Sequence, residues 1–146
     1  MLEIPIVVAD DVVDAMPSYA RSGDAAVDLI SRVDATLVSG GGRAMIPTGV
    51  SIALPDGYAA LVLSRSGLAA HHGVACLNAP GLIDSGFRGE IQVILVNTDP
   101  IADYEVHCGD RVAQLMVTAF DQIHFQRVSE LEATDRGDQG FGHSGR

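Results

Sequence analysis

The 146-residue chain is 47% hydrophobic and 19% charged, which fits one globular domain with a buried core. Its formal net charge of −10 argues against binding along a nucleic-acid backbone, because that affinity comes from clustered cations that displace counterions. All nine basic residues are Arg, so a phosphate-binding lysine of the Walker type is excluded. Sixteen Gly, six Pro and short runs of Val, Ile and Leu predict an all-β protein whose strands are joined by turns.

The sequence shows no sign of export or of membrane insertion. Residues 1–13 are apolar but include three carboxylates and lack the basic start of a signal peptide. No apolar run reaches the length needed to span a membrane. Two cysteines, Cys76 and Cys108, are too few for a disulfide framework. We therefore expect a cytoplasmic protein with two buried, reduced thiols and no affinity for membranes.

In chain order, the first half predicts short strands separated by turns. The strand candidates are residues 4–8, 25–31, 36–38, 45–54 and 58–63. Their recurrence about every ten residues is typical of a sandwich or barrel. Asp28 lies inside the second candidate, where a carboxylate needs either an edge position facing water or a partner. The local pattern leaves both readings of Asp28 open.

Residues 64–70 interrupt the strand pattern and predict one short helix. A helix start presents free N–H groups and a positive dipole end, so Arg65 and Ser66 fit an anion site as well as an ordinary Ser cap beside a solvated Arg. Further on, residues 90–97 and 104–107 are expected to form paired strands. A last strand enters after residue 109 and carries Gln114, an amide that either faces water or needs hydrogen-bond partners.

The segment 79–91 has the composition of a tight hairpin. Three glycines and a proline surround the carboxylate of Asp84 and one aromatic ring, Phe87. Such a turn presents side chains at defined positions. The same composition also fits a plain turn whose carboxylate is solvated.

The end of the chain changes character. From residue 129 the apolar periodicity is lost, and residues 136–146 have the composition of a flexible tail. Arg136, Phe141 and the glycines between them suit closure over a ligand with an aromatic ring and phosphates, although plain disorder explains them too. We expect a β-domain over residues 1–128 and a C-terminal arm over residues 129–146.

Five of these segments occur in the order of the motifs of the trimeric dUTPase family, the deoxyuridine triphosphate nucleotidohydrolases. The chain resembles that family through residues 25–31, 65–69, 78–90, 109–116 and 136–145. The resemblance implies a homotrimer of jelly-roll-like β-barrels, the dUTPase-like β-clip, with active sites where subunits meet and a flexible arm that closes them. It also implies hydrolysis of dUTP to dUMP and pyrophosphate with Mg²⁺, which keeps uracil out of DNA and supplies dUMP for dTMP synthesis.

The resemblance implies a role for each motif residue. Asp84 would activate the water that attacks the α-phosphorus, Asp28 would hold the magnesium-bound triphosphate through water, and Phe87 would exclude a 2′-hydroxyl. The remaining substrate contacts it implies are Asn78, Gly81 and Ile83 at the uracil edge, Arg65, Ser66, Gly67, Gln114 and Arg136 at the phosphates, and Phe141, Gly142 and Ser144 in the arm. Two positions in the arm depart from the family pattern, Gln139 at a usual glycine and His143 at a usual small hydroxyl residue.

Two other functions remain open at this point. A dCTP deaminase is similar in fold and hairpin, but that family carries a glutamate in the following strand where this chain has Ile94. A dUTP-sensing regulatory module would bind the nucleotide without turnover. Carboxylates are ionised at neutral pH and Mg²⁺ takes phosphate oxygens and waters, so the residues present suit hydrolysis.

Overall fold

The computed structural model describes residues 2–11 and 16–138. Within these ranges the chain forms eleven strands and one helix, α1 (Ser66–His72). The strands of the first half are β1 (Ile6–Val8), β2 (Val27–Ile30), β3 (Ala35–Leu37), β4 (Arg43–Pro47), β5 (Val50–Ile52) and β6 (Tyr58–Ser64). Those of the second half are β7 (Val74–Cys76), β8 (Gly81–Ile83), β9 (Gln92–Asn97), β10 (Tyr104–Val106) and β11 (Arg111–Ala119).

Antiparallel pairing arranges these strands into four sheets. The largest has the order β2-β11-β6-β8, a second has the order β4-β9-β7, and β1 with β5 and β3 with β10 form two-stranded ladders. Side chains from both larger sheets meet in one hydrophobic core, which includes Leu29, Ile46, Val62, Val74, Val93, Leu95 and Leu115. The all-β, jelly-roll-like clip with one short helix is confirmed, although the described strands form separate ladders rather than one closed barrel. No described helix has the length and apolar character of a membrane span.

Alternation of buried and partly exposed residues fixes which way the central strands face. Along β11, Ala113 and Leu115 point into the core, whereas Gln114 and Met116 point away from it. A bulge at the start of β11 shifts its register against β2 between Arg111 and Ala113. Because side chains alternate with period two, this register places Gln114 on the same outer face as its neighbours on β2 and β6.

The segment 79–91 is not a hairpin, which corrects the sequence interpretation. Strand β8 pairs with β6, and β9 pairs with β4 and β7, so the two arms belong to different sheets. Residues 84–91, here called the Asp84 loop, cross from one sheet to the other. Buried side chains at both ends, Ile83 and Ile91, anchor the loop in the common core, and this burial favours the crossing over a local ladder.

Three smaller expectations were also wrong. β9 and β10 do not pair with each other, since β10 pairs with β3. The predicted strand 45–54 is divided into β4 and β5 at Gly49, whose φ of 75° lies in the left-handed region that glycine tolerates. Cys76 is buried as expected, but Cys108 is exposed in the turn before β11, where its N–H donates to Asp34 at 2.8 Å.

The boundary between domain and arm at residue 129 stays a prediction.

Candidate active site

A cavity of about 370 Å³ opens beside the Asp84 loop. Its walls come from β6, β8, the loop itself and the start of β9. The residues that line it are Val62, Asn78, Gly81, Leu82, Ile83, Asp84, Phe87, Glu90, Ile91, Gln92 and Ile94. Five of the predicted site residues therefore meet here, namely Asn78, Gly81, Ile83, Asp84 and Phe87. The cavity offers the carboxylates of Asp84 and Glu90 and the Phe87 ring together with several apolar side chains, and this combination suits an organic ligand.

Hydrogen bonds within the loop hold Asp84 and Phe87 in a defined relation. The N–H of Phe87 donates to the backbone carbonyl of Asp84 at 3.1 Å, which closes a four-residue turn. The guanidinium of Arg88 donates to the carbonyls of Ser85 and Phe87. Among the residues that the structure describes, the Asp84 carboxylate has no hydrogen-bond or ion-pair partner, and it lines the cavity.

Close packing explains the glycine at position 81. A Cβ there would lie 3.3 Å from both Asn78 Nδ2 and Val62 Cβ, so one of these side chains would have to shift by a few tenths of an ångström. With glycine the backbone of β8 reaches the cavity directly. Backbone N–H and C=O groups are strong hydrogen-bonding groups, and those at the cavity wall are suited to reading the edge of a planar base.

Glu90 is a member of the cavity wall that the sequence patterns did not indicate. Its carboxylate accepts a bond of 2.7 Å from the buried N–H of Gly49 and a longer one of 3.5 Å from Arg32. Arg32 also donates to Asp11 at 2.8 Å, and this bond lowers the pKa of Asp11 while it raises the pKa of Arg32. The end of the Asp84 loop is thereby tied to the β4–β5 turn and to the N-terminal segment. The only sign of this role in the sequence is that an acidic residue directly follows Gly89.

Asp28 has partners, which settles the question that its strand position raised. Asp28 on β2 lies directly opposite Gln114 on β11, and Gln114 Nε2 approaches Asp28 Oδ1 at 3.4 Å. Arg65 Nε lies 3.5 Å from the same oxygen, and Arg111 Nη1 lies 3.4 Å from Asp28 Oδ2. Three of the predicted phosphate-site residues, Asp28, Arg65 and Gln114, thus form one cluster. Arg111 joins it without having been predicted, although it stands three residues before Gln114.

The helix start after β6 carries the next two predicted residues, Ser66 and Gly67. The N-cap is Arg65 rather than Ser66, and no side chain caps the helix. The interpretation of Ser66 as an ordinary cap is therefore wrong. Arg65 is held by donation from its Nη1 to the carbonyl of Arg111 at 2.8 Å, and the space around Gly67 is open. The first-turn N–H groups, which the helix itself does not satisfy, remain available to an anion.

A second cavity of about 350 Å³ lies beside the Asp28 cluster. It is lined by Ser18, Ala20, Asp24, Ala25, Ala26, Asp28, Leu63, Gln114 and Met116, none of which lines the first cavity. Asp28 stands on β2 and the Asp84 loop follows β8, and these are the opposite edges of the four-stranded sheet. Three interstrand spacings of about 4.8 Å place the two edges roughly 14 Å apart. One chain therefore does not bring Asp84 next to Asp28.

The arm is described only in part. Arg136 lies exposed in a turn over residues 135–138 and lines neither cavity. The other predicted arm residues, Phe141, Gly142 and Ser144, lie outside the described residues, as do Gln139 and His143. Their roles stay predictions.

The described residues suit Mg²⁺ only as an ion that is bound mainly through the phosphates of a substrate and through water. Among residues 2–11 and 16–138, no group of three or more His, Cys, Asp and Glu side chains is arranged to hold a metal. Mg²⁺ commonly keeps several waters and binds through one or two carboxylates and substrate phosphates. Asp28, which lines the second cavity and lies beside Arg65 and Arg111, fits that mode through water.

The β-clip fold and the loop cavity together define a small-molecule-binding protein whose site presents carboxylates, an aromatic ring and backbone groups at one wall. The family model described as dUTPase matches residues 14–145. The deoxyuridine 5′-triphosphate nucleotidohydrolase of Cutibacterium acnes is 52% identical over 132 residues, which cover 90% of this chain and 86% of the relative. That of Streptomyces griseus is 52% identical over 130 residues, covering 89% of this chain and 73% of the relative. The chain belongs to the dUTPase family.

Solved structures agree with this assignment at the level of the fold. The dUTPase of Staphylococcus bacteriophage 80alpha with dUpNHpp has a TM-score of 0.89 and 24% identity, with all of both chains covered. A dUTPase from phage phi11 of S. aureus, described with a structural Mg(II) ion, has a TM-score of 0.80 and 23% identity over 90% of this chain and all of that one.

Proposed function

We propose that this chain hydrolyses dUTP to dUMP and pyrophosphate with Mg²⁺, acting on the nucleotide pool of the cytoplasm. Such an activity keeps uracil out of DNA and supplies dUMP for dTMP synthesis. The observation that carries the proposal is the cavity that presents the Asp84 carboxylate beside the Phe87 ring and the β8 backbone. Family membership and relatives at about half identity, named as dUTP nucleotidohydrolases, support the choice of substrate.

Asp84 acts as the general base in this proposal. Its carboxylate accepts a proton from a water whose oxygen bonds to the α-phosphorus. The bond from that phosphorus to the bridging oxygen breaks, and the electron pair leaves with pyrophosphate. Mg²⁺, when bound, offsets the negative charge on the phosphate oxygens.

The cavity wall selects the base and the sugar. Backbone groups from Asn78 to Ile83 pair with the uracil edge and leave no room for a 5-methyl group. The Phe87 ring lies against the deoxyribose and excludes a 2′-hydroxyl. An isoleucine, Ile94, lines the cavity at the position where a dCTP deaminase carries a glutamate, which argues against deamination.

The phosphates bind at the Asp28 cluster and the helix start. Donors come from Arg65, from Gln114 and from the open first-turn N–H groups with Ser66. Asp28 would hold Mg²⁺ through water. Arg136 grips the γ-phosphate while Phe141 stacks on the uracil, with Gly142 and Ser144 completing the arm.

The complete site is formed between copies of the chain in a homotrimer. Asp84 and Asp28 of one chain stand at opposite edges of one sheet, whereas the reaction needs both beside one triphosphate. At a Mg²⁺ concentration that is limiting for Asp28→Asn, the Asp84→Asn and Asp28→Asn variants should each be nearly inactive alone, and they should regain activity when their chains are mixed in one oligomer. Each variant assembled alone is the control. A mixed oligomer as inactive as its parents contradicts a site shared between copies.

Incubation with dUTP, dCTP and UTP plus Mg²⁺ tests the activity itself, with pyrophosphate and ammonia followed separately. We expect pyrophosphate from dUTP, little from UTP and no ammonia from dCTP. Ammonia release would indicate a deaminase. Binding of dUTP without pyrophosphate release would indicate a sensing module.

A further inference from the structure

The ring of Phe87 occupies the space that a side chain at position 89 would need. A Cβ added to Gly89 would lie 2.8 Å from Cζ, 3.1 Å from Cε2 and 3.6 Å from Cε1 of that ring. The first of these distances is shorter than carbon atoms tolerate without a shift. The Phe87 ring and a side chain at position 89 therefore cannot keep this arrangement together.

The backbone conformation at position 89 does not require a glycine. Gly89 does not have the positive φ that would call for glycine, and neither does Gly86 in the same loop. The two differ in their surroundings, since a Cβ on Gly86 would meet nothing within 4 Å. Gly89 therefore differs from Gly86 in that the Phe87 ring packs against it.

We propose that Gly89 is a positioning residue that sets the place of the Phe87 ring and thereby the selection of deoxyribose over ribose. The inference rests on the proposed sugar contact of Phe87 and adds the group that determines where that contact is made. The backbone of Phe87 is already held by its N–H bond to Asp84 and by the bond that Arg88 donates to its carbonyl at 2.8 Å. What can still move is the Phe87 ring, and it packs against the backbone of Gly89, which has no side chain.

A methyl group at position 89 would displace the ring by at least a few tenths of an ångström while the loop backbone stays in place. A ring that lines the cavity and is 43% exposed has room to move, so the displacement changes the cavity wall rather than the core. Since the filter works by steric exclusion of one hydroxyl, a small movement relaxes it. Asp84 itself is untouched.

The test compares Gly89→Ala with Gly86→Ala, which makes the same substitution in the same loop where the space is open. We expect Gly89→Ala to lower the ratio of kcat/KM for dUTP over that for UTP by roughly three- to tenfold, as for an aromatic contact that is weakened. The change in this ratio should come mainly from the KM values for the two nucleotides and not from kcat. Gly86→Ala should leave the ratio within about twofold, a spread smaller than an aromatic contact contributes. Equal effects of both substitutions, or none from Gly89→Ala, would overturn the proposal.

A double-variant cycle separates this role from a general disturbance of the loop. In a Phe87→Ala background the ring is gone, so Gly89→Ala should add nothing further to the loss of discrimination. An additional loss of the same size as in the native background would show that Gly89 acts through the backbone, and would overturn the assignment. Thermal unfolding of each oligomer verifies that all variants are folded.

Proton NMR on selectively labelled protein distinguishes failure of this inference from failure of the proposed function. Contacts between the Phe87 ring protons and the Gly89 Cα protons should be present in the native protein and changed in Gly89→Ala. Absence of these contacts would overturn the packing. If they are present while Phe87→Ala keeps full discrimination, the sugar contact in the proposed function is wrong, and the selectivity role of Gly89 falls with it.

Discussion

The backbone carbonyl of Asp84 accepts a hydrogen bond of 3.1 Å from the N–H of Phe87. This bond joins the residue proposed as general base to the residue proposed as sugar filter, so one turn sets the relative position of both. It uses main-chain atoms only. Either side chain can therefore be changed without opening the turn, which makes the two roles separable by mutation.

Asp84→Asn should nearly abolish hydrolysis while leaving the fold and dUTP binding in place. The amide keeps the size of the side chain and the backbone bond to Phe87, but it cannot accept the proton of the attacking water. We expect kcat to fall by roughly 10²- to 10⁴-fold, the usual contribution of a general base. Steady-state kinetics and calorimetric titration with a non-hydrolysable dUTP analogue measure the two effects. Substantial residual turnover would remove Asp84 from the base role.

Asp28→Asn should raise the Mg²⁺ concentration needed for half-maximal activity by roughly 10- to 100-fold, the usual cost of losing a group that orients a metal's ligands. The charge proposed to hold Mg²⁺ through water is lost, while Arg65 and Arg111 keep their positive charges beside the site. Asp24→Asn is the matched control, because Asp24 lines the same cavity but its Oδ2 accepts a local bond of 2.8 Å from the N–H of Arg21. Equal shifts for both variants would indicate a general electrostatic effect instead.

Glu90→Ala should lower the free energy of unfolding by about 1–3 kcal/mol, because the buried N–H of Gly49 loses its acceptor. Loss of this tie should also raise the KM for dUTP, since the Asp84 loop ends at Glu90. Urea denaturation at one fixed protein concentration gives the stability change. Glu105→Ala, which removes an exposed carboxylate bonded to Thr36, is expected to change it by no more than about 0.5 kcal/mol. A Glu90 variant as stable as this control contradicts the anchoring role.

Asp99 should contribute to stability at neutral pH but not in acid. Its carboxylate accepts bonds from the N–H groups of Ala102 and Ile101 at 2.8 and 2.9 Å, and these lower its pKa below the ordinary 3.8. The stabilisation is therefore present above that ordinary pKa and is lost as the pH falls through the lower pKa of the folded state. Denaturation of the native protein and of Asp99→Ala at neutral and acid pH should show a gap in stability that shrinks in acid.

Asp99→Asn is the comparison for that titration. It keeps an acceptor oxygen in the same turn but has no proton to gain in this range. Its stability relative to Asp99→Ala should therefore not depend on pH. A gap between the native protein and Asp99→Ala that is constant across the range would disprove the link to Asp99 ionisation.

One thiol per chain should react rapidly with a thiol reagent at neutral pH. Burial raises the pKa of the Cys76 thiol and also blocks access to it, whereas Cys108 is exposed. The Cys108→Ser variant should lose the rapid phase, and Cys76→Ser should keep it. Rapid modification of Cys108→Ser under native conditions would show that Cys76 is accessible.

Local sequence was sufficient for the all-β class, the single short helix and the residues of chemical interest. Asp84 and Phe87 stood out because glycine and proline punctuation marks a turn that presents side chains, and such signals act over a few residues. Asp28 and Gln114 stood out for a similar reason, as polar groups in apolar strands that required an explanation. Their ordered occurrence with the helix start and the glycine-rich tail indicated the family.

Tertiary structure decided which of these residues meet. Asp28 lies opposite Gln114 although 86 positions separate them, and Asp84 lies at the far edge of the same sheet. The loop that looked like a hairpin joins two sheets, and Glu90 meets Gly49 across 41 positions. Strand pairing is a non-local choice made by burial of a shared core, and no pattern within one strand encodes its partner. The sequence by itself therefore indicated which residues are of chemical interest, and only the packing of the sheets decided that the Asp84 cavity and the Asp28 cluster lie at opposite edges of one sheet.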